Sequence, residues 1–122
     1  MAIKKKILIV DDDEAITKTL ALVLKKAGYE PDTFNRPDDA LDAFKKEHYA
    51  CVISDYNMPG MDGLELLQEL KNMDPKIKTI IASGEHNFRH LEESGNFYVN
   101  GYLHKPFDSE VLNDKLLQVL EN

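Results

Sequence analysis

Cysteine is nearly absent from this chain: Cys51 stands alone among 122 residues. No internal disulfide can form, and the position of Cys51 at the start of an apolar strand reads as a packed, inert thiol rather than a reactive one. Long apolar leaders are lacking too. The basic N-terminus, Met1 to Lys6, runs into only four apolar residues, Ile7 to Val10, before acids follow. That excludes a signal peptide and a membrane span, and the lysines read as a solvated lead-in. Net positive charge is missing: the formal charge is −7, which a phosphate backbone would repel, so no direct nucleic-acid binding is expected. There is no internal repeat, low-complexity segment or linker. A cytoplasmic, reducing compartment fits these absences.

What is present is an ordinary globular composition, 43% hydrophobic and 30% charged. At this length one domain over residues 1–122 is expected, able to bury about two thirds of its unfolded surface without staples. The pattern alternates. Ile7–Val10, Tyr29–Phe34, Cys51–Ser54, Thr79–Ala82 and Tyr98–Leu103 read as strands. After each comes a helical stripe. Ile16, Leu20, Val23, Leu24 and Ala27 make the first, with Gly28 where it should stop. Pro37 opens the second, which carries Ala40, Leu41 and Phe44. Leu64, Leu67 and Leu70 mark the third, introduced by Asp62 and Glu65 at capping-box spacing. The fourth, Glu85 to Ser94, has only Phe88 and Leu91 as anchors and should be the least firmly held. Val111, Leu112, Leu116, Val119 and Leu120 line the last.

Five strands each followed by a helix imply an α/β fold: a five-stranded parallel sheet, doubly wound, with right-handed crossovers and helices on both faces. Ligands of such sheets sit beyond the carboxyl ends of the strands. There the chain places Asp11 and Asp12 after the first strand and Asp55 at the end of the third. Ser83 follows the fourth strand and Lys105 the fifth. Clustered carboxylates repel one another unless a cation joins them. Mg²⁺ suits one or two carboxylates plus phosphate oxygens, with Mn²⁺ or Ca²⁺ as substitutes. A bare carboxylate can attack phosphorus to give an aspartyl phosphate. The new oxygens then need donors, which the Lys105 ammonium and Ser83 hydroxyl are placed to supply.

Four motifs now carry a resemblance: Ile-Val-Asp-Asp from Ile9, Ile-Ser-Asp-Tyr-Asn-Met-Pro-Gly-Met-Asp-Gly from Ile53, Ala-Ser-Gly from Ala82 and Gly-Tyr-Leu-His-Lys-Pro-Phe from Gly101. In that order, on those elements, the chain from Ile7 to Leu120 resembles the receiver domain of two-component response regulators, which implies a flavodoxin-like (βα)5 fold with strand order 2-1-3-4-5. The resemblance implies that Asp55 accepts phosphate from a sensor histidine kinase or a histidine phosphotransfer protein. It implies Mg²⁺ held by Asp12, Asp55 and the Asn57 carbonyl, with Asp11 contributing through water. It makes Ser83 the switch hydroxyl, Tyr102 the switch aromatic and Lys105 the phosphate-binding lysine, with a cis Lys105-Pro106 bond. On phosphorylation Ser83 would turn inward, Tyr102 would follow, and the face of helix four, strand five and helix five would change. The downstream effector leaves no trace in the sequence, and a homodimer through that face is compatible with it but not indicated.

The Asp55–Ser83 interval is shorter than in chemotaxis-type members, which trims the third helix or its exit on the far side of the sheet. Asn57 and Glu85 occupy positions that tune phosphate lifetime in the family. Asp13 and Asp62 read as helix caps rather than ligands. His48, His86, His90 and His104 lack metal-ligand spacing and read as surface or loop residues, although His86 and His90 stand four apart. A haloacid dehalogenase-type phosphatase also uses a strand-end aspartate with Mg²⁺, but it needs a second Asp two residues on, where Asn57 stands. A degenerate receiver would have lost the acid pair, the serine or the lysine, and all are present.

Overall fold

A computed structural model describes residues 4–94 and 98–121, apart from the side chains of 85–88 and 94. The strands are β1 (Lys6–Val10), β2 (Glu30–Phe34), β3 (Cys51–Asp55), β4 (Lys78–Ser83) and β5 (Gly101–His104). Between and after them lie α1 (Glu14–Lys26), α2 (Pro37–Lys46), α3 (Gly63–Met73), α4 (Glu85–Ser94) and α5 (Ser109–Glu121). All strand pairings are parallel, and the sheet order is β2-β1-β3-β4-β5. The expected doubly wound fold is the one observed.

The central strands carry continuous apolar runs, Ile7–Val10, Cys51–Ile53 and Ile80–Ala82, because both faces are covered. Leu8, Val10, Val52 and Ile81 pack with Ala40, Phe44, Leu66, Leu67 and Leu70 of α2 and α3. The alternate residues Ile7, Ile9, Ile53 and Ile80 pack with Leu20 and Leu24 of α1 and Leu112, Leu116 and Val119 of α5. Cys51 is fully buried on this second side, where burial pushes its thiol up to about 12, so it stays protonated and inert. β2 is an edge strand, where Pro31 costs no ladder hydrogen bond to a further neighbour.

Helix ends follow local chemistry. Asp13 Oδ1 accepts from the Ala15 and Ile16 amides, and Asp62 with Glu65 forms the capping box. α1 stops in a Schellman motif: Gly28 has φ of 95°, its N–H donates to Lys25, and the Tyr29 N–H donates back to Leu24. Tyr29 therefore belongs to the helix stop, and β2 begins one residue later than expected. A larger correction falls at β5. Residues 98–100 read as strand, but β5 starts only at Gly101. The Thr79 hydroxyl donates to the Tyr98 carbonyl at 2.6 Å, and Asn100 Oδ1 accepts from the Thr79 N–H at 2.9 Å. The Asn100 N–H still donates to the Thr79 carbonyl at 2.9 Å, but side-chain bonds take the place of the remaining ladder bonds there, while Val99 buries its side chain. α4 spans the expected residues and Leu91 is buried; its other expected anchor, Phe88, lies outside the described side chains.

Candidate functional site

The carboxyl ends of β1, β3, β4 and β5 converge. Just past β1, the Asp11 N–H donates to the Phe34 carbonyl at 3.1 Å, which extends the β1–β2 ladder by one rung. Asp11 Oδ1 accepts from the Asp13 N–H at 2.9 Å. The loop therefore turns with Asp11 inward, only 3% exposed, and Asp12 outward in the solvent. At the end of β3, Asp55 stands opposite Ala82 of β4, and the Tyr56 N–H donates to the Ala82 carbonyl at 2.8 Å. After β5, the Lys105 N–H donates to the Ser83 carbonyl at 2.8 Å, and the Lys105-Pro106 bond is cis, as expected.

These elements bring four charged groups together. The Lys105 ammonium lies 2.7 Å from Asp55 Oδ1 and 3.0 Å from Asp11 Oδ2. One carboxylate oxygen from each of Asp11, Asp12 and Asp55 lies within 4.8 Å of the others. The two partners of the central pair respond differently. Burial, together with the neighbouring charges of Asp11 and Asp12, raises the Asp55 carboxyl above its ordinary value despite the lysine. Burial also opposes the charge on Lys105, yet its hydrogen bonds to Asp55 and Asp11 outweigh that and raise it. The two directions agree physically: one cation serves three acids. The lysine is over-compensated and the acids are under-compensated, so the site is short of positive charge.

Ser83 is buried at the end of β4, in register with His104, with its hydroxyl donating to the Gly84 carbonyl at 3.3 Å. Asn57 is exposed in the turn after Asp55. Tyr102 is half-buried against the α2–α3 side of the core, in register with Ile81. His48, His90 and His104 are exposed, while the side chains of His86 and Glu85 lie outside the described ones.

Two contributors were not visible in the sequence as such. An added Cβ at Gly63 would stand 2.3 Å from the Asp55 carbonyl oxygen, so glycine alone lets α3 begin against the end of β3. Asn35 donates from Nδ2 to the Asp11 carbonyl. Gly63 closes a quoted motif and could have been suspected; Asn35 could not.

Residues 7–117 match the profile of the response regulator receiver domain. The chain belongs to that family. Receiver domains are signalling phosphoacceptors that interact with histidine kinases and output domains. This receiver domain is 36% identical to sporulation initiation phosphotransferase F of Bacillus subtilis, over 95% of its own length and 94% of that protein. It is 33% identical to chemotaxis protein CheY-3 of Vibrio cholerae, with 95% and 92% covered. With the transcriptional regulatory protein FixJ of Bradyrhizobium diazoefficiens it shares 31% identity over its full length, but it spans only 58% of FixJ. A crystal structure of a CheY-like receiver domain protein from Methanospirillum hungatei superposes with a TM-score of 0.90 at 29% identity, covering 98% and 95% of the two chains.

The family binds Mg²⁺ at an acidic pocket, and the receiver domain's donor set fits that ion. All three grouped side chains offer oxygen, the preferred donor of hard cations. Among the described residues no helix is long and apolar enough to cross a membrane.

Proposed function

We propose that residues 1–122 form a single, cytoplasmic receiver domain that stores a signal as a phosphoryl group on Asp55. The observation that carries the reading is the Lys105 ammonium 2.7 Å from Asp55 Oδ1, beside two further carboxylates. The donor is the phosphohistidine of a sensor kinase or a histidine phosphotransfer protein. An Asp55 carboxylate oxygen attacks phosphorus, an O–P bond forms, the P–N bond to the donor histidine breaks, and the imidazole leaves with its electron pair. Lys105, already fixed by Asp11, donates to a phosphoryl oxygen. Its ammonium meets the growing charge without having to be recruited from solvent.

Asp11, Asp12, Asp55 and the Asn57 carbonyl would hold Mg²⁺, or Mn²⁺ or Ca²⁺ in its place. Bound there, the ion supplies the positive charge that the three acids lack and offsets charge on the transferring group. Ser83 lies one residue beyond the strand partner of Asp55. Turning its hydroxyl from the Gly84 carbonyl to the phosphoryl group gives up a long 3.3 Å bond, a small loss against a charge-assisted one. Tyr102, whose hydroxyl is already out of solvent in this structure, then repacks and the α4–β5–α5 face changes for a partner or output domain. The domain is a phosphoacceptor rather than an enzyme acting on other substrates; it promotes only its own phosphorylation and slow dephosphorylation.

Mass spectrometry after incubation with Mg²⁺ and a small acyl phosphate tests this. A single phosphate adduct, absent in Asp55→Asn, is expected. Turnover of phosphate esters would favour the phosphatase reading, and no adduct a binding-only receiver.

A further inference from the structure

We infer that Asn35 is a positioning residue for the acid pair, acting through the Asp11 carbonyl and the Thr17 hydroxyl. The inference rests on the metal-site reading given above. Besides the Lys105 contact to the Asp11 carboxylate, three restraints on the loop after β1 come from its own residues or from the sheet. The Asp11 N–H is held by Phe34, the turn by the Asp11 side chain, and the exit by the Asp13 cap. None of these touches the Asp11 carbonyl, and that carbonyl sets the plane of the Asp11–Asp12 peptide and hence where Asp12 points.

Asn35 supplies the missing restraint. Its Nδ2 donates to the Asp11 carbonyl at 2.9 Å and to Thr17 Oγ1 at 3.2 Å. The Thr17 hydroxyl, which is buried, passes its own proton to the Glu14 carbonyl at 3.0 Å. The chain of donors runs one way and uses both amide hydrogens. Exchanging the oxygen and nitrogen of Asn35 would set acceptor against acceptor at Asp11, so the assignment is settled by its partners. Although Asn35 is itself exposed, it ties the β2 exit, the acid loop and the first turns of α1 together. Repulsion among three carboxylates tends to open this loop, and the Asn35 bridge opposes it. Outer groups that orient ligands change metal affinity about 10–100-fold when removed.

The experiment titrates Mn²⁺ alone, with free ion followed by electron paramagnetic resonance, and compares amide spectra of each variant. Wild type is expected to bind one ion, weakened by Asp55→Asn. Asn35→Ala is expected to bind about tenfold more weakly, with spectral changes confined to the acid loop, the β2 exit and the start of α1. Thr17→Val should shift affinity the same way by less, while Thr17→Ser keeps the acceptor and the affinity. Asn35→Asp, nearly isosteric, separates position from charge and carries the test if Asn35→Ala fails to fold. An added carboxylate acting only through its field would tighten binding, but one facing two oxygens should loosen it. Unchanged affinity in Asn35→Ala or tighter binding in Asn35→Asp overturns the inference. No Mn²⁺ binding by wild type is a different result, because it removes the metal site itself.

Discussion

Lys105 Nζ stands 2.7 Å from Asp55 Oδ1 and makes its second contact, at 3.0 Å, to Asp11. Asp11 thereby fixes the lysine that faces Asp55, the proposed phosphoacceptor, a contact beyond the water-mediated metal role expected of it. The arrangement leaves the acids short of neutralising charge.

Asp55→Asn should stabilise the metal-free domain at neutral pH. The raised Asp55 carboxyl means that the folded state holds a proton there more readily than the unfolded chain. Its favourable contribution is therefore full below the ordinary Asp value and is lost as pH rises through the folded value. A neutral amide removes that loss. Thermal melts at pH 7 should show a higher Tm than wild type, by roughly 4 °C for each kcal/mol recovered. The gap should close as pH is lowered toward 4.

Lys105→Met should do the reverse. It leaves Asp11 and Asp55 buried together without a cation, a loss of about 1–3 kcal/mol once the partial exposure of the lysine is allowed for. Protonation relieves the repulsion, so the difference in urea midpoint from wild type should be largest near pH 7 and shrink in acid. The same variant should form far less phosphate adduct, because Asp55 loses its charged donor.

Gly63→Ala should destabilise by about 1–3 kcal/mol, the usual range for forced overpacking. The added Cβ meets the Asp55 carbonyl oxygen at 2.3 Å and the Tyr56 Cα at 3.0 Å, both backbone atoms that cannot swing away. Gly84→Ala, where nothing lies within 4 Å, is the control and should leave the urea midpoint nearly unchanged. Equal effects would mean that the close approach is not what matters at Gly63.

The fold was legible because its strands announce themselves: Ile7–Val10 and Cys51–Ile53 are apolar on every residue, as strands of a sheet covered on both faces are. The acids were legible because they end those strands. What escaped the sequence depends on distances between residues far apart in the chain. Tyr98 to Asn100 have strand composition, yet Thr79 and Asn100 side chains take over the backbone groups that a ladder would use. Tyr29 has strand composition, yet the stop at Gly28 uses the residue after it. Asn35, a turn residue by any local rule, gains meaning only because β1 and β2 are neighbours. The direct Asp11–Lys105 pair spans 94 positions and has no local signature.

Mg²⁺ should stabilise the domain in a pH-dependent way whose sign is fixed by Asp55. The ion binds ionised carboxylates and, binding the folded state alone, adds about 2.7 kcal/mol at a free concentration one hundred times its Kd. Because the Asp55 carboxyl is raised, protons compete for it at a higher pH than at an ordinary aspartate. The Mg²⁺-induced rise in Tm should therefore be full near pH 7.5 and fall away as pH drops through the raised value, before most surface carboxylates titrate. Asp55→Asn removes both a ligand and the titrating group, so its smaller Mg²⁺ response should be flatter across the same range. A Tm gain that grew on acidification would mean that the ion is held elsewhere, since no carboxylate site gains affinity by taking up protons.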